Sequence, residues 1–419
     1  MTDSVVLYVG VEHVVPLEHE EIPFPFNIKQ VINQDGEVIS SKAESAYLKS
    51  PLTGASFVVT PVFRNKFVRV GELVGYIVSV NVPACVVGNN ALLQILVYPA
   101  CKFALEFLKY HLVQSGCSFH TVNQLVIEHC EIFDLTLTYL LECANKQEAK
   151  DVTQMIADYG EATLNTKHTN TKQKKPVVAI SSAGLTTVTI TKPRMFEAKA
   201  YVKVGATPKS FEKFVSSQIG QAIYAESGSL VRGEFNADRA WLKAKKGESP
   251  VAWKSAAFAE KTIQLALNTI RDYLRISDNL RSRRPKPEQL DALSTAERAI
   301  VEDYLNGADP KAHPLLVGKS AQYFSAVKCK MEQTLRMDIT IPWKLHSTKI
   351  SPHLSKWMQW NGQYQAPPAL APHCFVWATA KAKFKTLRRM LRVLGKKPVA
   401  VTTPAVQVVK KVATRKPKP

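Results

Sequence analysis

The sequence predicts an α+β protein with a central, largely antiparallel sheet. That sheet is built from two half-repeats with helices on one face, and a C-terminal helical region follows it. Three observations carry the expectation. Short runs alternate apolar and polar residues with period two, as half-buried strands do. Between and after them come segments with apolar residues at helical spacing. From 288 onward the patterns are helical only. At 419 residues the chain is long enough for one large core or two to three domains.

In chain order, "SVVLYVGV", "ASFVVTPVF", "LVGYIVSVNV" and "ALLQILVYP" read as strands punctuated by Gly and Asn. "PACKFALEFLKYHLVQSG" reads as a helix between Pro99 and Gly116. "NQLVIEHCEIFDLTLTYL" is a long strand, with Phe133, Leu135 and Leu137 on one face and Asp134, Thr136 and Thr138 on the other. "NKQEAKDVTQMIADYGEATL" places Val152, Met155, Ile156 and Tyr159 on one helical stripe. Residues 1–166 thus form an N-terminal α/β half, and the polar, basic 167–176 is a linker. A second α/β half, 177–284, completes the sheet with "KAYVKV" and "LVRGEF", a helix near "PKSFEKFVSSQIGQAIYA" and a long amphipathic helix through Ile263, Leu267, Ile270 and Leu274. Residues 285–397 form a helical basic region, in which Ser294 and Glu297 spell a capping box. The tail 398–419 is basic and proline-bearing, a composition that predicts disorder.

Charge is the least ordinary property. The net charge is +20; residues 1–166 carry 18 acids and 10 Lys or Arg, the remainder 17 and 45. A chain acidic in front and strongly basic behind predicts a polyanionic partner, phosphate backbone first. A membrane surface is the rival, but the most apolar stretch is interrupted by Asn81, Pro83, Gly88, Asn89, Asn90, Gln94 and Pro99. No run nears the roughly 18 apolar residues that span a bilayer. Seven cysteines with no C-x-x-C spacing read as reduced thiols of a cytosolic protein rather than as disulfides or a zinc site.

Three strand segments share one design. Asp134, Tyr201 with Lys203, and Arg232 with Glu234 each take the polar parity of a strand whose other parity is apolar. If the strands are neighbours, one face gathers two carboxylates, a phenol and cations. Asp134 and Glu234 would hold Mg²⁺ or Mn²⁺ through hard oxygens, and Lys203 and Arg232 would steady a phosphate. A tyrosine attacks phosphorus only if a cation or metal favours its phenolate. Tyr224 and Tyr139 are alternatives to Tyr201 as the attacking residue. Lys199 lies on the same strand face, and Lys381, Lys383, Lys385, Arg388, Arg389 and Arg392 lie on an acid-free helix. All seven are candidate DNA contacts. No His-x-His pair, phosphate loop or G-x-S-x-G occurs.

The motifs "IFDLT", "KAYVKV", "LVRGEF" and "GKSAQYFSAVKCKMEQTLRMDITIPW", in this order and spacing, resemble those of the replication-initiator endonucleases of filamentous bacteriophages, the gene II and gene X type. The likeness covers roughly residues 90–360. Two departures are Ile132, where the family carries an Arg, and Gly233, where it carries an aromatic. The resemblance implies a rolling-circle initiator in the cytoplasm of a bacterial host. It would bind double-stranded origin DNA, nick one strand by tyrosine transesterification, and later cut and rejoin the displaced single-stranded DNA. It also implies a host helicase and polymerase as partners and a homodimer on DNA. Two other classes fit the residues: an origin or single-strand binder with no catalysis, and a recombinase-like strand transferase.

Overall fold

The computed structural model describes residues 2–16, 28–32, 38–64, 73–94, 96–166, 177–180, 186–192, 196–203, 216–273, 284–344, 359–360 and 362–396. The expected 167–176 linker and the 398–419 tail lie outside these residues, as do residues 208–215 of the helix expected near "PKSFEKFVSSQIGQAIYA".

The first half supplies β1 (Thr2–Gly10), β2 (Ile28–Ile32), β3 (Val38–Ala43), β4 (Ala46–Lys49), β5 (Ser56–Phe63), β6 (Leu73–Asn81), α1 (Val82–Val87), α2 (Val97–Gln114), α3 (Phe119–Asn123), β7 (Cys130–Glu142) and α4 (Lys146–Thr166). The second half adds β8 (Val177–Ile180), β9 (Thr186–Lys192), β10 (Phe196–Val202), α5 (Gln218–Ser227), β11 (Leu230–Asp238), α6 (Arg239–Ala244) and α7 (Ala256–Tyr273). Then follow α8 (Pro287–Leu290), α9 (Thr295–Leu305), α10 (Ala321–Leu335) and α11 (Trp377–Leu394).

Nine strands form one antiparallel sheet in the order β4-β5-β6-β1-β7-β11-β10-β9-β8, and β2 and β3 form a separate hairpin. The fold is α+β, as the alternation predicts. All first-half strands of the large sheet lie on one side of the β7–β11 seam, and all second-half strands lie on the other. Both edge strands are only four residues long, which limits the unpaired edge offered to other chains.

One sheet face is apolar: Val5, Leu7 and Val9, then Val231, Phe235 and Ala237, then Ala198 and Ala200 are all buried. Helix α2 covers β1 and β6, and α4 covers β9, β10 and β11, so each half roofs its own strands. The opposite face alternates to half-exposed side chains along β1, β7, β10 and β11. Gly233 lies on the apolar side, where a Cβ would sit 2.0 Å from the Tyr139 ring carbon Cζ. The Tyr139 ring of the partner strand fills this space and needs a residue without a side chain opposite it.

Two bulges change what alternation predicts. On β7, Val6 pairs with Asp134 but Leu7 with Ile132, so Phe133 is an extra residue. Ile132 and Leu135 enter the core, while Phe133 stacks on Tyr8 at 5.4 Å and carries the Arg239 guanidinium over its ring. The expected grouping of Phe133 with Leu135 and Leu137 is corrected accordingly. On β1, a shift between Thr2 and Val5 lets Asp3 and Ser4 both reach partners beyond the apolar side.

The C-terminal region is two pieces rather than one. A small core of its own, including Ile300, Val301, Met331 and Met337, joins α9 and α10, whereas Leu387 and Leu391 of α11 belong to the main core. Ser294 and Glu297 make the expected capping box at α9. Helix α11 docks on α2, and Arg388 reaches buried Glu106 at 2.8 Å.

Candidate functional site

The ends of β10 and β11 nearest the α1–α2 connection carry a connected polar cluster. Register places Tyr201 opposite Arg232 and Lys199 opposite Glu234. Tyr201 donates its phenolic hydrogen to Glu234 Oε1 at 2.7 Å, and Arg232 Nε donates to the same oxygen at 2.8 Å. Arg232 is 1% exposed. Its remaining nitrogens donate to Asp3 Oδ2 at 2.9 Å and to the carbonyl of Asn90 at 2.7 Å. Lys203 Nζ donates to Asn90 Oδ1. Asn81 and Asn90 both donate to Asp3 Oδ1 at 2.9 Å.

Local sequence explains how these groups arrive. Asn81 ends β6 and caps α1, its Oδ1 accepting from the Ala84 amide at 3.1 Å. Gly88 closes α1 in the left-handed conformation, at φ 84°, and delivers Asn89 and Asn90 across the strand ends. A buried guanidinium held between two carboxylates and a carbonyl is a rigid fork. Removing any partner would leave charge unpaired in a low-dielectric setting.

Electrostatics follow from burial. Burial raises the Tyr201 phenol well above its ordinary value; Arg232 opposes the rise and Glu234 adds to it. Burial and the neighbouring Arg232 push the Lys203 amine down to about 8, against the pull of Asp3 and Glu234. Burial would lower Arg232, but Asp3, Tyr201 and Glu234 more than offset it and hold the guanidinium charged. Among the described residues nothing is bonded to Glu234 Oε2. Directly across the seam, the Thr138 hydroxyl is buried without a hydrogen-bond partner.

Asp134 does not join this cluster. It pairs with Asp238, four residues along β11 from Glu234. That is about 13 Å along the strand before the step of about 5 Å to β7. The expected Asp134–Glu234 metal pair is therefore corrected: the two carboxylates cannot share one ion. Asp3, the carboxylate that does approach Glu234, is separated from it by the Arg232 guanidinium. Among the described residues no group of three or more His, Cys, Asp or Glu is arranged for a metal. Asp134 and Glu234, as placed, do not form the expected Mg²⁺ or Mn²⁺ centre. Burial and Asp238 push Asp134 up to about 6, with Asn236 working the other way.

No family model, curated protein or solved structure matches the chain.

The other expected residues fall into two groups. Tyr139 is buried on the apolar face beneath Gly233, away from Lys203 and Glu234; Tyr224 is buried on α5, where burial raises its phenol and nearby Arg232 opposes the rise. Lys199 pairs with Glu197 at 2.7 Å. On α11, Lys381, Lys385, Arg389 and Arg392 are exposed and Lys383 is half-buried, and Lys396 just past its end is exposed. Arg388 is committed to Glu106 and anchors the helix. Among the described residues no helix is long and apolar enough to cross a membrane.

Asp3, Asn81 and Asn90 belong to the site and escape sequence reasoning. Asp3 sits at the parity of Val5 and Leu7, which predicts the apolar side; the bulge reverses it. The two asparagines carry the ordinary signature of helix punctuation.

Proposed function

We propose that the chain cuts and rejoins single strands of DNA by tyrosine transesterification, in the manner of a rolling-circle initiator. The supporting observation is the Tyr201–Glu234 hydrogen bond, with Lys203 beside it at the open side of the sheet. A general base must lie within about 2.6–3.2 Å of the group it deprotonates, and Glu234 meets that requirement.

In this reading Tyr201 Oη bonds to a backbone phosphorus as the bond from phosphorus to the 3′ oxygen breaks. The phenolic proton passes to Glu234 Oε1, and the leaving 3′ oxygen takes a proton from the Lys203 ammonium. The product is a 5′-phosphotyrosine and a free 3′-hydroxyl. Attack by a 3′-hydroxyl on the same phosphorus reverses every transfer, so rejoining needs no nucleotide. Arg232 holds Glu234 with its bonded oxygen toward the phenol. No step passes through a divalent cation. The exposed cations of α11 hold the phosphate backbone.

A second reading, a DNA-binding protein without cleavage, is favoured by one observation: burial holds the Tyr201 phenol protonated. Incubation with single-stranded and supercoiled DNA, denaturation and mass spectrometry separate the two. A DNA adduct on Tyr201 supports cleavage; intact DNA with retained binding supports the second reading.

A further inference from the structure

Between the start of α2, α7 and the start of α11 lies a cavity of about 160 Å³ walled by Trp253, Trp360 and Trp377. Trp253 is buried, and its indole N–H is satisfied by the Gly247 carbonyl at 2.9 Å. Trp377 is 58% exposed, an unusual cost for the largest apolar side chain. Lys254 and Glu260 supply charge at the wall. The volume is well below the roughly 300 Å³ at which drug-sized ligand pockets begin; it suits one flat ring.

Trp377 also begins a row. Exposed Lys381, Lys385, Arg389 and Arg392 follow it at steps of four, four, four and three, which keeps them on one side of a helix, and exposed Lys396 lies just past the helix end. From Lys381 to Arg392 the helical part of this cationic stripe runs about 17 Å. None of the five has an acidic partner among the described residues.

We infer that the tryptophan cavity takes an unpaired nucleobase of a single DNA strand whose phosphates lie along this stripe. A base in a duplex cannot leave its stack without an unpairing cost, whereas an unpaired one offers its face to an indole freely. The cavity is physically tied to the Tyr201 cluster. Asn90 accepts from Arg232 and Lys203, and four residues on, Gln94 Oε1 accepts from the Trp377 amide at 3.0 Å. Four residues span at most about 14 Å, so one strand of a few nucleotides reaches both places. The inference rests on the reading that the ligand is DNA, but not on cleavage.

The test is anisotropy of labelled oligonucleotides with the full chain at fixed salt. Three probes are used: a single strand with bases, an abasic strand with the same phosphates, and a duplex. Trp377→Ala should bind the base-bearing strand about 5- to 100-fold more weakly, with abasic and duplex affinities within about twofold of the parent. Trp377→Phe should recover most of the loss. Lys385→Gln with Arg389→Gln should weaken all three probes and reduce the salt slope by about two. An equal Trp377→Ala loss on the abasic strand, or no loss on the base-bearing strand, overturns the cavity as a base site. A parent protein that shows this base dependence yet forms no Tyr201 adduct overturns cleavage alone.

Discussion

Tyr201 and Glu234 belong to adjacent antiparallel strands, and one 2.7 Å hydrogen bond joins them from phenol to carboxylate. In the proposed reaction this bond is the path of the proton. Tyr201→Phe should therefore eliminate the covalent DNA adduct. Glu234→Gln should slow its formation by about 10²- to 10⁴-fold while leaving DNA affinity near that of the parent. Quantifying the adduct by mass spectrometry, with binding measured in parallel, checks both. An undiminished adduct in Tyr201→Phe would remove Tyr201 from the chemistry.

Arg232 is the structural key of the cluster. Arg232→Gln leaves Asp3 and Glu234 facing each other without their cation, and should cost about 3–5 kcal/mol of stability. Adding Asp3→Asn should return part of that loss, because the stranded charge is then halved. Chemical denaturation of the single and double variants measures the coupling; strictly additive losses would mean the pair does not interact.

In the proposed reaction Lys203 would tie cleavage to pH. Its amine titrates at about 8, lowered from the usual value, so it is a cation below that pH and neutral above. Cleavage at saturating DNA should fall as pH rises through about 8. Lys203→Arg should remove this limb and slow cleavage at every pH, since a guanidinium stays charged but does not give up its proton. A pH–rate profile identical in parent and variant would contradict the assignment.

Asp134 governs stability with the opposite convention from an ordinary carboxylate. Its folded value of about 6 lies above the unfolded value near 3.9, so the folded state binds its proton more tightly. Stability is then greatest below about pH 4 for this group, and falls as pH rises through about 6. Asp134→Asn should stabilise the protein by on the order of 1–2 kcal/mol at pH 8 and by almost nothing at pH 4. Unfolding curves at the two values decide it.

Gly233→Ala should destabilise by about 1–3 kcal/mol through overpacking, because the new methyl collides with the Tyr139 ring. Tyr139→Leu in the same chain should relieve the collision. Thermal unfolding of the double variant is the check, and no relief would locate the strain elsewhere.

Much of this was legible from alternation alone. The sheet strands bearing Tyr201, Lys203, Arg232 and Glu234 follow strict period two, so their shared face could be read without coordinates. Asp134 was misread as their companion because parity tells the face but not the distance along a strand; that is a matter of register, and Asp238 rather than Glu234 stands opposite it. Phe133 was misassigned, and Asp3 went unread, for another reason. Each lies at a bulge, and a single inserted residue inverts every parity argument beyond it. The Arg388–Glu106 tie was invisible because it joins residues 282 apart on helices whose charges look equally solvated in sequence.

The β7–β11 seam makes the polar cluster a composite. Asp3, Asn81 and Asn90 arrive from one side of it, and Tyr201, Lys203, Arg232 and Glu234 from the other. A polypeptide severed between 167 and 176 would yield two fragments, neither holding a complete constellation and each baring a long sticky edge. Mixing them should restore what both lack. The cluster is in that sense divisible: halves co-expressed as separate polypeptides should regain it only when they meet.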